Sequence, residues 1–244
     1  MQIALSSHIN CQMKTNRGGE VLMQKYKNIL KNREDAAKKL LDVLPMQQLK
    51  EESWNIVAVS KGGLELASYI KGKLKNNLEI LFLEAIMTPN NPECEVARVS
   101  ETEEIVINEE LIDAFEIQYD YIYGEAHRKH EEDILSHIYK YRKGKPFPFM
   151  ENEVVLLVDE GSETGSKFMT ALKTILAQKP KAVYIATPVL PSDVLELLET
   201  FVDDIFFLYD IDDYVETSLY YECLKEMDDE EIEEILSKDL KDNR

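Results

Sequence analysis

The segment 154–167, V-V-L-L-V-D-E-G-S-E-T-G-S-K, constrains this chain more than any other. Five consecutive apolar residues fit a strand buried on both faces, and two acids, Asp159 and Glu160, stand at its carboxyl end. A turn of Gly, Ser and Thr then runs into a helix predicted over 168–177. Such a turn offers backbone N–H groups and hydroxyls, and the helix start adds partial positive charge, so together they can cradle a phosphate. The acid pair suits what is attached to a phosphate: sugar hydroxyls, or a hard cation such as Mg²⁺. Two readings of this segment stay open, a sugar-phosphate site and an acid pair capping a surface loop.

The rest of the chain supplies a frame for it. Asn32 followed by Arg33, Glu34 and Asp35 predicts a capped helix, with Ala36, Leu40, Leu41 and Leu44 at helical spacing and Pro45 past its end. An apolar strand over 56–59 enters Ser60-Lys61-Gly62-Gly63, and a helix is predicted over 64–74. A further strand is expected over 79–87, after which Thr88-Pro89-Asn90-Asn91-Pro92 opens an irregular stretch. Helical pattern returns over 121–141, and strands are expected at 154–158, 182–186 and 205–209. This alternation predicts an α/β fold, a doubly wound, mainly parallel sheet of about five strands forming one domain over 1–244. Ligands of such sheets sit beyond the carboxyl ends of the strands.

Charge and cysteine usage remove other classes. With 28 Lys and Arg against 47 Asp and Glu, the net charge of −19 argues against nucleic-acid binding, which relies on phosphate contacts by basic side chains. The acid concentrates in 191–244, with 19 acidic against 4 basic residues, so the C-terminal segment 192–244 reads as a solvated acidic surface. Three widely spaced cysteines, Cys11, Cys94 and Cys223, fit neither a disulfide framework nor a zinc site and point to a reducing compartment. The start of the chain lacks the parts of a secretory signal, and no apolar run approaches the ~18 residues of a membrane helix. A cytoplasmic location and no membrane partner are expected. His127 and His130, with Glu125, Glu131 and Glu132, read as a charged helix face rather than a metal site. Asp210-Ile211-Asp212-Asp213-Tyr214 reads equally as an acidic turn or as a place where a ligand could stack on Tyr214. Tyr220 and Tyr221 read as core.

The segment 154–166 resembles the phosphoribosyl-pyrophosphate motif of type I phosphoribosyltransferases. More particularly, the chain resembles a group of predicted bacterial phosphoribosyltransferases without settled substrate. That likeness runs through N-R-E-D-A-A-K-K-L at 32–40, V-S-K-G-G at 59–63, P-N-N-P-E at 89–93, Y-R-K-G-K-P at 141–146 and T-P-V-L-P at 187–191. It spans about residues 28–238 in one order and leaves an N-terminal extension, 1–27, outside.

The resemblance implies a small hood formed by N- and C-terminal segments, and Mg²⁺-dependent transfer of a phosphoribosyl group to a nitrogenous base or similar small acceptor, with release of pyrophosphate. Asp159 and Glu160 match the pair that holds the ribose hydroxyls and, through them, the Mg²⁺. Gly161, Ser162, Thr164, Gly165, Ser166 and Lys167 match the 5′-phosphate loop, and Lys61, Gly62 and Gly63 the pyrophosphate loop, where glycine tolerates an unusual backbone. The stretch 89–103 is the expected lid, and a homodimer the general expectation for such a chain. Three departures stand out: Glu160 where Asp is usual, Lys167 where Thr or Ser is usual, and Glu163 where most loops carry Thr or Ala. The 6-oxopurine transferases carry an Asp at the position of Glu163, acting as acid/base toward the ring. Glu163 therefore reads as such a catalytic group, as a charge that weakens phosphate binding, or as a side chain pointing away. The two function classes are an active transferase and a non-catalytic module that binds a phosphoribosyl ligand or nucleotide.

Overall fold

The computed structural model describes residues 27–72, 74 and 76–242. All but the last residue of the expected N-terminal extension lie outside them. Asn32 caps α1 (Arg33–Leu40), its side chain accepting from Asp35 N at 2.9 Å, as its place before an acidic first turn predicts. Next come α2 (Met46–Glu51), β1 (Trp54–Ala58), α3 (Lys61–Lys71) and β2 (Asn77–Ile80). The middle of the chain forms β3 (Leu83–Thr88), β4 (Asn91–Ser100), β5 (Ile105–Ile107) and α4 (Glu109–Ala114). One long helix follows, built from α5 (Tyr119–Lys129), a π turn (His130–Ile134) and α6 (Leu135–Arg142). The remainder is β6 (Val154–Val158), α7 (Ser166–Leu176), β7 (Ala182–Pro191), α8 (Ser192–Leu198), β8 (Asp204–Ile211), a 3₁₀ turn (Thr217–Tyr220) and α9 (Asp229–Asp242).

Every residue of β1 and of β6 is buried, which is why 56–59 and 154–158 read as unbroken apolar runs. Successive side chains alternate between two cores. Ile56 and Leu156 pack with Ala36, Leu40 and Leu64 of α1 and α3, whereas Val57 and Leu157 pack with Phe168 and Leu172 of α7. The parallel sheet runs β2-β1-β6-β7-β8. The chain winds outward from β1 to β2 and later returns to the other side of β1 with β6. The switch point between β1 and β6 brings the ends of both strands, and the two predicted loops, side by side.

Two expectations change. The single strand expected over 79–87 is two strands: β2 pairs parallel to β1, and β3 pairs antiparallel to β4 in a second, three-stranded sheet ordered β3-β4-β5. Leu81 and Phe82 are buried at the junction, so the apolar run stays continuous while its partners change. The stretch 89–103 is for the most part β4, with Val96, Ala97, Val99 and Ser100 buried, rather than an irregular stretch. The register shifts around Met87 interrupt its two-residue alternation, which hid it as a strand. The terminal segments do meet: Leu30 bridges Tyr221 in parallel, with Asn28 N to Leu219 O at 3.0 Å and Cys223 N to Lys31 O at 3.0 Å.

Burial on β2 has a measurable consequence. Desolvation pushes the Glu79 carboxyl up from 4.5 to about 7, against the pull of Arg142 and helped by Asp239 and Glu101. The native state therefore holds a proton that the unfolded chain releases. This contribution is fully present below about pH 4.5 and is lost as pH rises through 7. Glu79→Gln should remove that slope, gaining up to ~3 kcal/mol relative to wild type between pH 5 and 8. Urea midpoints of both proteins across that range check it, and parallel curves would refute it.

Candidate functional site

At the end of β1, Ser60 caps α3: its Oγ accepts from Gly63 N at 2.9 Å and donates to Asp159 Oδ1 at the end of β6. Lys61, Gly62 and Gly63 are thus the first turn of a helix, with Val59 N bonded to Val158 O at 3.1 Å just before it. The two glycines answer to close approach rather than to an unusual backbone. A Cβ on Gly63 would stand 2.7 Å from Val158 O and 2.9 Å from Asp159 Oδ1, and one on Gly62 would overlap the Glu160 carboxylate. Lys61 stays half exposed, with Nζ 4.0 Å from Asp229 Oδ1 of α9.

The acid pair lies between these loops with each carboxylate matched by a cation of the protein. Asp159 is fully buried and forms an ion pair with Lys167. Burial works to lower the Lys167 pKa, but Asp159 outweighs it and holds the ammonium above its ordinary range. The same ammonium donates to Gly161 O at 2.9 Å. Lys167 thus serves Asp159, where the sequence suggested help to a phosphate. Glu160 pairs with Arg33, whose side chain is only 7% exposed and also reaches Glu65 Oε2 at 2.9 Å and Lys225 O at 2.7 Å. Burial first, and then Asp159, push the Glu160 carboxyl up, with Arg33 opposing. Tyr221 donates to the Glu160 carbonyl at 2.8 Å. Arg33 was not among the expected site residues. The visible signal was its place behind the cap of α1, which positions it but names no partner.

In the loop, Gly165 takes a left-handed conformation, φ 72°, and caps α7. Thr164 Oγ1 accepts from Ser166 N at 3.3 Å. Glu163 is turned toward the 3₁₀ turn, accepting from Thr217 N at 3.0 Å and Thr217 Oγ1 at 2.6 Å. Burial pushes its carboxyl up, yet those two hydrogen bonds prevail and hold it below the usual carboxylate range. A cavity of about 440 Å³ opens between this loop and β4, lined among others by Ser162, Thr164, Ser166, Lys167, Arg98 and Asn108. Tyr214, a candidate stacking surface, bonds to Thr217 Oγ1 at 2.9 Å and packs on Tyr220 at 4.7 Å between ring centroids. His130 is turned inward, its Nε2 3.2 Å from Glu101 O. Among the described residues no group of three or more His, Cys, Asp or Glu could hold a metal ion.

No protein-family model matches the chain. A Mycobacterium tuberculosis protein provisionally named a phosphoribosyl transferase is 21% identical over 177 residues, which are 72% of this chain and 39% of that relative. The chain therefore spans well under half the length of the curated relatives it matches. The crystal structure of TT1426 from Thermus thermophilus superposes with a TM-score of 0.68 at 25% identity, covering 86% of this chain and 98% of that one. The chain is thus similar to relatives provisionally named phosphoribosyl transferases and shares the fold of TT1426. A hypoxanthine-guanine phosphoribosyltransferase of Bacillus anthracis aligns more loosely, at 14% identity with a TM-score of 0.41. In this fold the five parallel strands carry the two loops, and the small antiparallel sheet faces the second of them. Among the described residues no helix is long and apolar enough to cross a membrane.

Proposed function

We propose that the protein transfers a 5-phosphoribosyl group from phosphoribosyl pyrophosphate to a nitrogenous base or a similar small acceptor. The observation that carries this reading is the juxtaposition of Ser60-Lys61-Gly62-Gly63 and Asp159-Glu160 at the switch point, beside the loop that opens α7. In the proposed reaction a ring nitrogen attacks C1′, the C1′–O bond to pyrophosphate breaks, and the nitrogen's proton leaves with a base or solvent. The protein's part is to position and to stabilise charge: N–H groups at the start of α3 face the diphosphate, and the acid pair accepts from the ribose hydroxyls. For that, the hydroxyls must compete with Lys167 and Arg33 for the two carboxylates. The donor set does not fit a Mg²⁺ caged by protein alone, since Asp159 is already neutralised by Lys167. Mg²⁺ belongs in this reading as the counter-ion of the diphosphate substrate. Glu163 is available as the acid/base toward the acceptor only on leaving Thr217.

Phosphoribosyl pyrophosphate with Mg²⁺ should stabilise the native state by ~2.7 kcal/mol at a hundredfold excess over Kd, raising Tm by roughly 5–10 °C for a domain of this size. Differential scanning fluorimetry measures this. An unchanged Tm at millimolar ligand, with Asp159→Asn and wild type alike, would overturn the reading. The internal pairing of both acids favours a second reading, a module that binds a phosphoribosyl ligand without turnover. Pyrophosphate release on adding bases separates the two.

A further inference from the structure

We propose that Glu95 is a resident anion occupying the phosphate cradle, and that Arg98 is the side chain that takes over the incoming phosphate once Glu95 is displaced. The inference rests on the reading above only in treating 161–167 as a phosphate loop. Both residues belong to β4, not to any segment that the motif covers, and reach the first residue of α7 across 68 and 71 positions of sequence. Ser166 Oγ donates to Glu95 Oε1 at 2.6 Å and accepts from Arg98 Nε at 3.1 Å. Arg98 in turn grips the same carboxylate with two parallel bonds, Nε to Oε1 at 2.9 Å and Nη2 to Oε2 at 2.5 Å.

A guanidinium fork and a hydroxyl converging on two oxygens at a helix start is the arrangement that recognises phosphate as well as carboxylate. The cluster is shielded, Arg98 at 14% and Glu95 at 20% side-chain exposure, and lies on the wall of the 440 Å³ cavity. The charge balance there decides the roles. Of the described residues lining the cavity, two carry positive charge, Arg98 and Lys167, and three carry negative charge, Glu93, Glu95 and Glu163. Lys167 is committed to Asp159 and Glu163 to Thr217. Arg98 is then the cation left to meet a phosphate, and Glu95 already holds it. Glu95 therefore sets a threshold: weakly charged ligands leave it in place, and a phosphate dianion evicts it.

Isothermal titration of the full chain with ribose 5-phosphate, at fixed ionic strength and with ribose as control, tests this. Glu95→Gln should tighten ribose 5-phosphate about tenfold, and Arg98→Gln should weaken it at least as much, with ribose unaffected by either. In the double variant the gain from Glu95→Gln should vanish, because it comes through Arg98. Circular dichroism checks folding. If Arg98→Gln does not fold, Arg98→Lys, which keeps the charge and loses the fork, should bind less tightly than wild type. An unchanged or weaker affinity in Glu95→Gln overturns the proposal, as does undiminished binding in an Arg98 variant or no binding by any variant. The expected pattern without pyrophosphate release from any base would sink the transferase reading and leave this one standing. Pyrophosphate release with a neutral Glu95→Gln would do the reverse.

Discussion

Arg33→Met is expected to destabilise the protein by ~3–5 kcal/mol, the usual cost of removing one partner of a buried ion pair. Arg33 is buried against Glu160, whose side chain is 17% exposed, and also serves Glu65 and the Lys225 carbonyl. Without it, Glu160 keeps its burial and its repulsion from Asp159 while losing its counter-charge. The signature is recovery: Arg33→Met with Glu160→Gln should regain much of the loss, since the second change removes the stranded charge. Urea unfolding of the four proteins closes the cycle. Additive losses would mean that the two side chains do not depend on each other and that Arg33 acts through packing alone.

Lys167→Met should cost a similar ~3–5 kcal/mol, because it strands a carboxylate with no exposure at all. Asp159→Asn in the same chain should restore most of it. The pair also has a pH signature of definite sign. A lysine held above its ordinary 10.5 in the native state stabilises fully below that pH and loses this contribution as pH rises through the folded value. Wild type should therefore weaken on the alkaline side where Lys167→Met does not. Equal slopes above pH 10 in the two proteins would count against the ion pair as the source of stability. These two results bear on function as well, since any ligand that recruits the acid pair must compete with the cations that hold it.

Residues whose structure is decided by near neighbours were legible in the sequence. The cap at Asn32, the strand 154–158, the turn after it and the helix beyond all follow from hydrogen bonding and apolar patterning within a dozen residues. The alternation of about five apolar strands with helices was enough to foresee the parallel sheet, whose switch point brings the two loops together. The break at Leu81-Phe82 was not legible, because an apolar run looks the same whether its two halves pair with one sheet or with two. Nor were the partners of the charged groups. Glu160 finds Arg33 across 127 positions, and Ser166 finds Arg98 and Glu95 across 68 and 71. The sequence by itself determined which strands are buried, where the turns cap their helices, and that two acids stand at the end of a buried strand before a small-residue turn. Only the tertiary structure decided which cation neutralises which acid, because ion pairing depends on distance and burial in space, and those are set by how the strands are ordered rather than by spacing along the chain.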